Sequence, residues 1–304
     1  MPAMTRFLFA AGAALAIAGC DRAPAPPADD TTADQGFTSS RISVIARGTG
    51  PDIILVPGLN SHRDFWNGLA DSLEGRYRLH LVQVNGFAGF PPGANAEGPV
   101  SAPAAEEIAR YISESGLGRP AVIGHSMGGT IAMMLSARHP DRVGRVMVVD
   151  MPPFLGGMFG PPGATAETMR PVADSMRTAM LTAPPGTPTM LEQMAPSMTM
   201  VDSMRPALIR YSRESHPPTT ANAFRELLVT DLRPELPRIT VPMTVLYVVP
   251  PNSPLPPAQL ESAMKESYAG APTAQLIRIE ESYHFIQWDQ PGRLVAEVDA
   301  LMRR

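Results

Sequence analysis

The stretch Val122-Ile123-Gly124-His125-Ser126-Met127-Gly128-Gly129 sets the narrowest limit on how this chain can fold. Small and apolar residues lead into it from Ala121, as in a buried strand. Behind it, Thr130-Ile131-Ala132-Met133-Met134-Leu135-Ser136-Ala137 reads as a helix that stops near His139-Pro140. The chain must turn from strand to helix within a few residues, with Ser126 at the tip. Such a turn needs neighbours without Cβ atoms, and Gly124 and Gly128 supply them. A serine held there projects its hydroxyl into open space. The following helix aims its first amides, and the positive end of its dipole, at the same spot.

The same alternation of strand and helix runs through most of the chain. Strands are expected at residues 42–46 and 53–56, separated by the turn Arg47-Gly48-Thr49-Gly50-Pro51-Asp52, and at 77–84, 142–149, 240–249 and 275–279. Helical spacing covers residues 65–73, 104–115, 257–268 and 293–302, with Gly116 and Gly118 ending the second of these. This pattern predicts an α/β fold with a mostly parallel sheet flanked by helices on both faces. Residues 152–237 break the alternation. They are rich in Met, Pro, Gly and Thr, and helical pieces at 166–181, 191–202 and 221–231 make them a helical cap insert. The core is then written in two parts, 41–151 and 238–304. Met158, Met176, Met180, Met194 and Met198 of the insert are flexible apolar groups. They suit either a pocket lining for apolar acyl or alcohol groups or ordinary helix packing.

With Pro57-Gly58-Leu59-Asn60-Ser61 after the second strand, and His284 after the last strand followed by an apolar stretch and Pro291, the sequence from about Ile42 onward resembles the α/β-hydrolase family. The resemblance implies that fold and a serine hydrolase chemistry. Ser126 would be the nucleophile and His284 its base. The backbone amides of Leu59 and Met127 would form the oxyanion hole. The family usually places its acid after the strand that ends here at Val249, where this chain reads Pro250-Pro251-Asn252-Ser253-Pro254 with no carboxylate. Some members carry the acid one strand earlier, and Asp150 stands at that place. Asn252 as a neutral partner, or Glu280 and Glu281 close to His284, are the alternatives. His125 belongs to the turn, but its side chain should point away from the serine in a structural role. His62, His80, His139 and His216 are scattered without metal-ligand spacing, so no metal and no cofactor are implied.

The N-terminus carries a separate message. Arg6 precedes the apolar run Phe7 to Ala18, which is too short for an ordinary membrane span and ends in Ile17-Ala18-Gly19-Cys20. Residues 1–20 resemble the signal peptide of bacterial lipoproteins, which implies lipidation at Cys20, the single cysteine of the chain. Residues 21–40 are rich in Ala, Pro, Asp and Thr and read as a disordered tether. The expected location is the bacterial cell envelope, on the periplasmic side of a membrane that holds Cys20. A net charge of −4 without a long basic run argues against a nucleic-acid partner.

Together these readings predict hydrolysis of an ester or similar small acyl compound through an acyl-enzyme. Amide or carbon–carbon bond hydrolysis would use the same residues. Dehalogenation is disfavoured, because related dehalogenases place aspartate where Ser126 stands. A rival of another class is a membrane-tethered protein that keeps the hydrolase fold to bind a ligand without chemistry, and the missing carboxylate at Asn252 favours it.

Overall fold

The computed structural model describes residues 36–250, Ser253 and residues 256–304. The lipoprotein-like segment with Cys20, most of the tether, and Asn252 lie outside the described residues. The last part of the expected tether is docked. Phe37 meets the ring of Tyr111 edge-on at 5.0 Å and lies beneath the guanidinium of Arg110, which also donates to the Thr38 carbonyl.

Among the described residues, seven strands form one sheet: β1 (Ile42–Arg47), β2 (Asp52–Val56), β3 (Arg78–Val84), β4 (Ala121–His125), β5 (Arg145–Val149), β6 (Met243–Val248) and β7 (Ala274–Ile279). Their order is β1-β3-β2-β4-β5-β6-β7, with β1 antiparallel to β3 and every other pair parallel. Helices α1 (Asn67–Leu73), α2 (Ser101–Glu114) and α3 (Met127–Arg138) follow β2, β3 and β4. Alternate residues of each strand serve opposite faces. On β4, Val122 joins the cluster of α2 and α3 with Val56 and Val146, while Ile123 joins Leu55, Met147 and the residues of α1 on the other side. Burial on both faces is why these strands are continuously apolar.

The chain leaves β2 toward β3 on one side and leaves β4 toward β5 on the other, although β2 and β4 are neighbours. Loops that part at such a point open a crevice beyond the carboxyl ends of the strands. Residues 57–61 and Ser126 sit there.

Between β5 and β6 lie α4 (Gly156–Phe159), α5 (Ala166–Thr182), α6 (Met190–Met194), α7 (Arg205–Glu214) and α8 (Pro217–Val229). The single helix expected at 191–202 is corrected. α6 ends at Met194, and Pro196, which has no N–H to continue the ladder, leads into a short 3-10 turn. α7 escaped the sequence reading because Arg205, Arg210, Arg213 and Glu214 mask a stripe in which Leu208 and Tyr211 are buried. α8 starts earlier than expected, because prolines are tolerated in a first turn. The carboxylate of Glu226 on α8 accepts from the amides of Val100 and Ser101 at 2.7 Å and of Ala102 at 2.9 Å. A cap helix thus satisfies the free donors at the start of α2 and pins the insert to the core. α9 (Pro257–Ser267) precedes β7. α10 (Ile286–Asp289) and α11 (Pro291–Met302) close the fold, and Leu294, Val298 and Leu301 of α11 join the α1 side of the sheet.

Candidate active site

Ser126 has φ 53° and ψ −122°, a conformation that an L residue rarely adopts. The turn is locked from both sides. The Ser126 amide donates to the Val149 carbonyl at 2.9 Å, and its own carbonyl accepts from Gly129 at 2.7 Å and Thr130 at 3.2 Å. The glycines are sterically required. A Cβ on Gly124 would stand 1.9 Å from the Gly128 carbonyl oxygen, and one on Gly128 would stand 2.2 Å from that of Val56. The loop after β2 passes directly beside the serine, since a Cβ on Gly58 would lie 3.1 Å from the Ser126 Cβ. Met127 opens α3, so its amide has no acceptor within the helix.

One strand away, Asp150 also has positive φ, at 53°. Its amide donates to Leu246 at 2.8 Å, and its Oδ1 accepts from the Val248 amide at 3.1 Å. Its Oδ2 lies 2.6 Å from Nδ1 of His284, on the loop after β7. Asp150 is therefore the carboxylate that reaches this histidine. Glu280, one of the alternatives, pairs with Arg278 instead. Ser126, Asp150, His284 and Leu59 line one cavity of about 1770 Å³. Four separate loops at the carboxyl ends of β2, β4, β5 and β7 bring them together.

A sequence model described as the alpha/beta hydrolase family matches residues 53–298. The chain belongs to that family. Among curated relatives, a pimeloyl-[acyl-carrier protein] methyl ester esterase of Nitrosomonas europaea is 26% identical over 265 residues, covering 86% of this chain and 99% of the relative. The protein of the same name from Aeromonas hydrophila is 34% identical over 113 residues, covering 37% of this chain and 42% of its own. Among solved structures, an esterase from Exiguobacterium antarcticum superimposes with TM-score 0.71 at 20% identity, over 90% of this chain and 98% of that one. An enol-lactonase from Burkholderia xenovorans does so with TM-score 0.70 at 17% identity, over 86% and 96%. At such identities the structural likeness speaks for the fold.

Several further residues hold this candidate site in place. Asn60, buried with φ 55°, accepts from the Thr220 hydroxyl of α8 at 2.6 Å. Buried Gln83 on β3 accepts from the Arg63 amide at 2.9 Å and donates to the Ser61 carbonyl at 3.2 Å. The loop beside Ser126 is thus fixed by both cap and sheet. Tyr268 donates to the Met151 carbonyl at 2.5 Å, directly behind Asp150. A left-handed Asn after Pro-Gly was a readable signal. The other two are singled out by no local pattern.

His125 takes the structural role expected of it, and its target is now visible. Its Nε2 lies 3.0 Å from the carbonyl oxygen of His284, so Nε2 carries the proton and donates. Burial, together with charge on His284, holds the His125 imidazole well below the ordinary histidine range. It stays neutral in the fold, whereas the unfolded chain takes up a proton below pH of about 6.5. Stability from this group is present above that pH and is lost as pH falls, by up to about 1.4 kcal/mol per unit. Urea midpoints at pH 7.5 and 5.5 should therefore differ more for the unmodified protein than for His125→Gln. Equal differences would contradict the assignment. Of the remaining histidines, His80 meets Asp52 and Tyr111, His139 meets Glu106, His62 meets Asp64, and His216 meets Thr219. No three His, Cys, Asp or Glu side chains among the described residues are grouped so as to hold a metal ion.

The methionines divide. Met158, Met194 and Met198 line the cavity, Met176 packs against the cluster of Ala173, Phe224 and Leu228, and Met180 does both. At the rim, Met158, Phe159, Leu181 and Met194 are 66%, 49%, 38% and 40% exposed. Of the charged lining residues, Glu192 meets Arg213, Arg233 meets Asp231 and Asp150 meets His284, while Glu266 adds a further carboxylate to the lining.

Proposed function

We propose that this hydrolase cleaves uncharged esters bearing a large apolar group, through Ser126, His284 and Asp150. The observation that carries the reading is the Asp150–His284 hydrogen bond of 2.6 Å in the cavity that Ser126 also lines. As the Ser126 hydroxyl attacks the ester carbonyl, His284 takes its proton at Nε2. Asp150 keeps the other nitrogen protonated and stabilises the imidazolium. The amides of Leu59 and Met127 receive the negative oxygen of the tetrahedral intermediate. His284 then protonates the departing alcohol and leaves an acyl-Ser126. Water, deprotonated by the same imidazole, releases the acid and restores the serine. Supporting the ester over the amide are relatives named as methyl ester esterases. The binding-protein alternative gives no reason for a strained serine that shares a cavity with a carboxylate–imidazole pair.

The cavity supports this substrate class. Pockets for small ligands usually hold about 300–1,000 Å³. This one is larger, its rim exposes apolar side chains, and most of its charged lining residues are paired within the protein. On p-nitrophenyl esters from acetate to laurate, kcat/KM should rise with chain length, by at most about fourfold per buried methylene. A flat or falling series would overturn the substrate class. Turnover of the matching anilides at equal rates would overturn the ester preference. Absence of turnover on every ester would favour the binding protein.

The lipoprotein resemblance of residues 1–20 supports attachment to a membrane through Cys20. Cells expressing the full chain with radiolabelled palmitate should label it, and Cys20→Ser should not be labelled. Equal labelling of both would reject this attachment.

A further inference from the structure

Asp289 ends α10, five residues after His284, and it has been assigned no part in the reaction above. Its carboxylate joins two segments. Oδ1 accepts from the Thr199 hydroxyl at 2.6 Å and the Met200 amide at 2.9 Å, both in the cap. Oδ2 accepts from the Tyr283 amide at 2.8 Å, in the turn that presents His284, and the nearby Ser282 hydroxyl donates to the Tyr283 carbonyl at 2.8 Å. A third link runs beside it, from the Phe285 amide to the Met198 carbonyl at 3.0 Å. Thr199 and Ser282 are buried. Met198, whose side chain lines the cavity, and His284 are therefore each one residue from an atom bound to this clamp or bound directly to it.

We propose that Asp289 is a positioning residue that couples filling of the apolar cavity to the placement of His284. The inference rests on the catalytic reading given above. A substrate chain that packs against Met198 fixes the backbone at 198–200. Through Asp289 and Phe285 that order reaches residues 283–285. A substrate too short to touch Met198 leaves the cap segment looser and the imidazole less well aligned, and small misalignments slow a reaction markedly. Chain length then raises kcat and does more than lower KM, because binding energy remote from the ester is used at the reacting centre.

The clamp has a strict chemical requirement. Each carboxylate oxygen receives one backbone N–H, and a backbone N–H can only donate. An asparagine in this place has one oxygen. Whichever way its amide is turned, its NH2 group faces either Met200 or Tyr283, and one side of the link opens. Asp289→Asn therefore opens one of the two routes of the coupling and leaves the Phe285–Met198 link, although it keeps size and shape.

The test compares p-nitrophenyl acetate and laurate on the unmodified protein, Asp289→Asn and Thr199→Val, with far-ultraviolet circular dichroism to confirm folding. In the unmodified protein kcat for laurate should exceed that for acetate. In Asp289→Asn that ratio should fall part of the way toward one, because the link from the Phe285 amide to the Met198 carbonyl remains, while KM still drops with chain length because the cavity lining is unchanged. Thr199→Val removes one hydroxyl and keeps both backbone links, so its ratio should fall less. A purely structural role would lower kcat on both esters by the same factor and leave the ratio intact, and this would overturn the coupling. So would an unmodified enzyme whose kcat ignores chain length. If Asp289→Asn does not fold, an unchanged ratio in Thr199→Val rejects the proposal and a lowered ratio upholds it. A protein that hydrolyses neither ester removes the catalytic reading itself, whereas turnover with an insensitive ratio removes the coupling alone.

Discussion

On the proposed mechanism, Ser126→Ala should lower ester turnover by about a millionfold, because the nucleophile of a Ser-His-Asp triad cannot be replaced by the groups around it. Water could take its place in principle. It would still meet the amides of Leu59 and Met127, and that residual assistance is worth about a thousandfold or more over solution. The substitution should leave the fold unaffected or slightly stabilised. Alanine has the same backbone needs as serine at φ 53°, and removing the hydroxyl leaves the turn's backbone bonds to Val149, Gly129 and Thr130 in place. Steady-state rates beside a thermal melt separate the two effects. A variant that melts normally and retains a tenth of the activity would place the nucleophile elsewhere.

Asp150→Asn should cost about a thousandfold to ten-thousandfold in kcat. Geometry gives the reason. Oδ1 accepts from the Val248 amide, and Oδ2 meets Nδ1 of His284. An asparagine whose oxygen stays with Val248 turns its NH2 toward the histidine. Nδ1 must then accept, the proton moves to Nε2, and the imidazole can no longer take the proton of Ser126. With the amide reversed, the histidine is served but NH2 faces the Val248 N–H. Asp150→Ala removes the orienting group without enforcing the wrong tautomer, so it should be no worse than Asp150→Asn. A full rate in Asp150→Asn would mean that another group orients His284.

The strands and the turn at Ser126 were legible because their signals are local. Val122 and Ile123 must both be apolar when both faces of a sheet are covered, and Gly124 and Gly128 must lack Cβ atoms where backbone oxygens approach within 2.2 Å. The family resemblance pointed to Asp150 and left Asn252 and the 280s pair open, and the 2.6 Å between Asp150 and His284 supports the first of these. What escaped was long-range and polar. Glu226 caps a helix more than a hundred residues away, and Asp289 joins a cap segment about ninety residues earlier. No periodicity marks such residues, because their partners are set by the way the insert folds back. The cap was legible only in outline for a similar reason. Pro196 divides one expected helix, and the arginines of α7 hide its buried stripe.

The most direct measurement of the central claim is labelling with a fluorophosphonate, followed by peptide mass spectrometry. This reagent needs a serine made nucleophilic by its surroundings, so it reports the assembled Ser126, His284 and oxyanion donors in one experiment. One adduct per chain is predicted, on the peptide that contains Ser126. It should be absent after unfolding and strongly slowed in His284→Ala. A folded protein that hydrolyses esters yet carries the adduct on another residue, or carries none, would contradict the account.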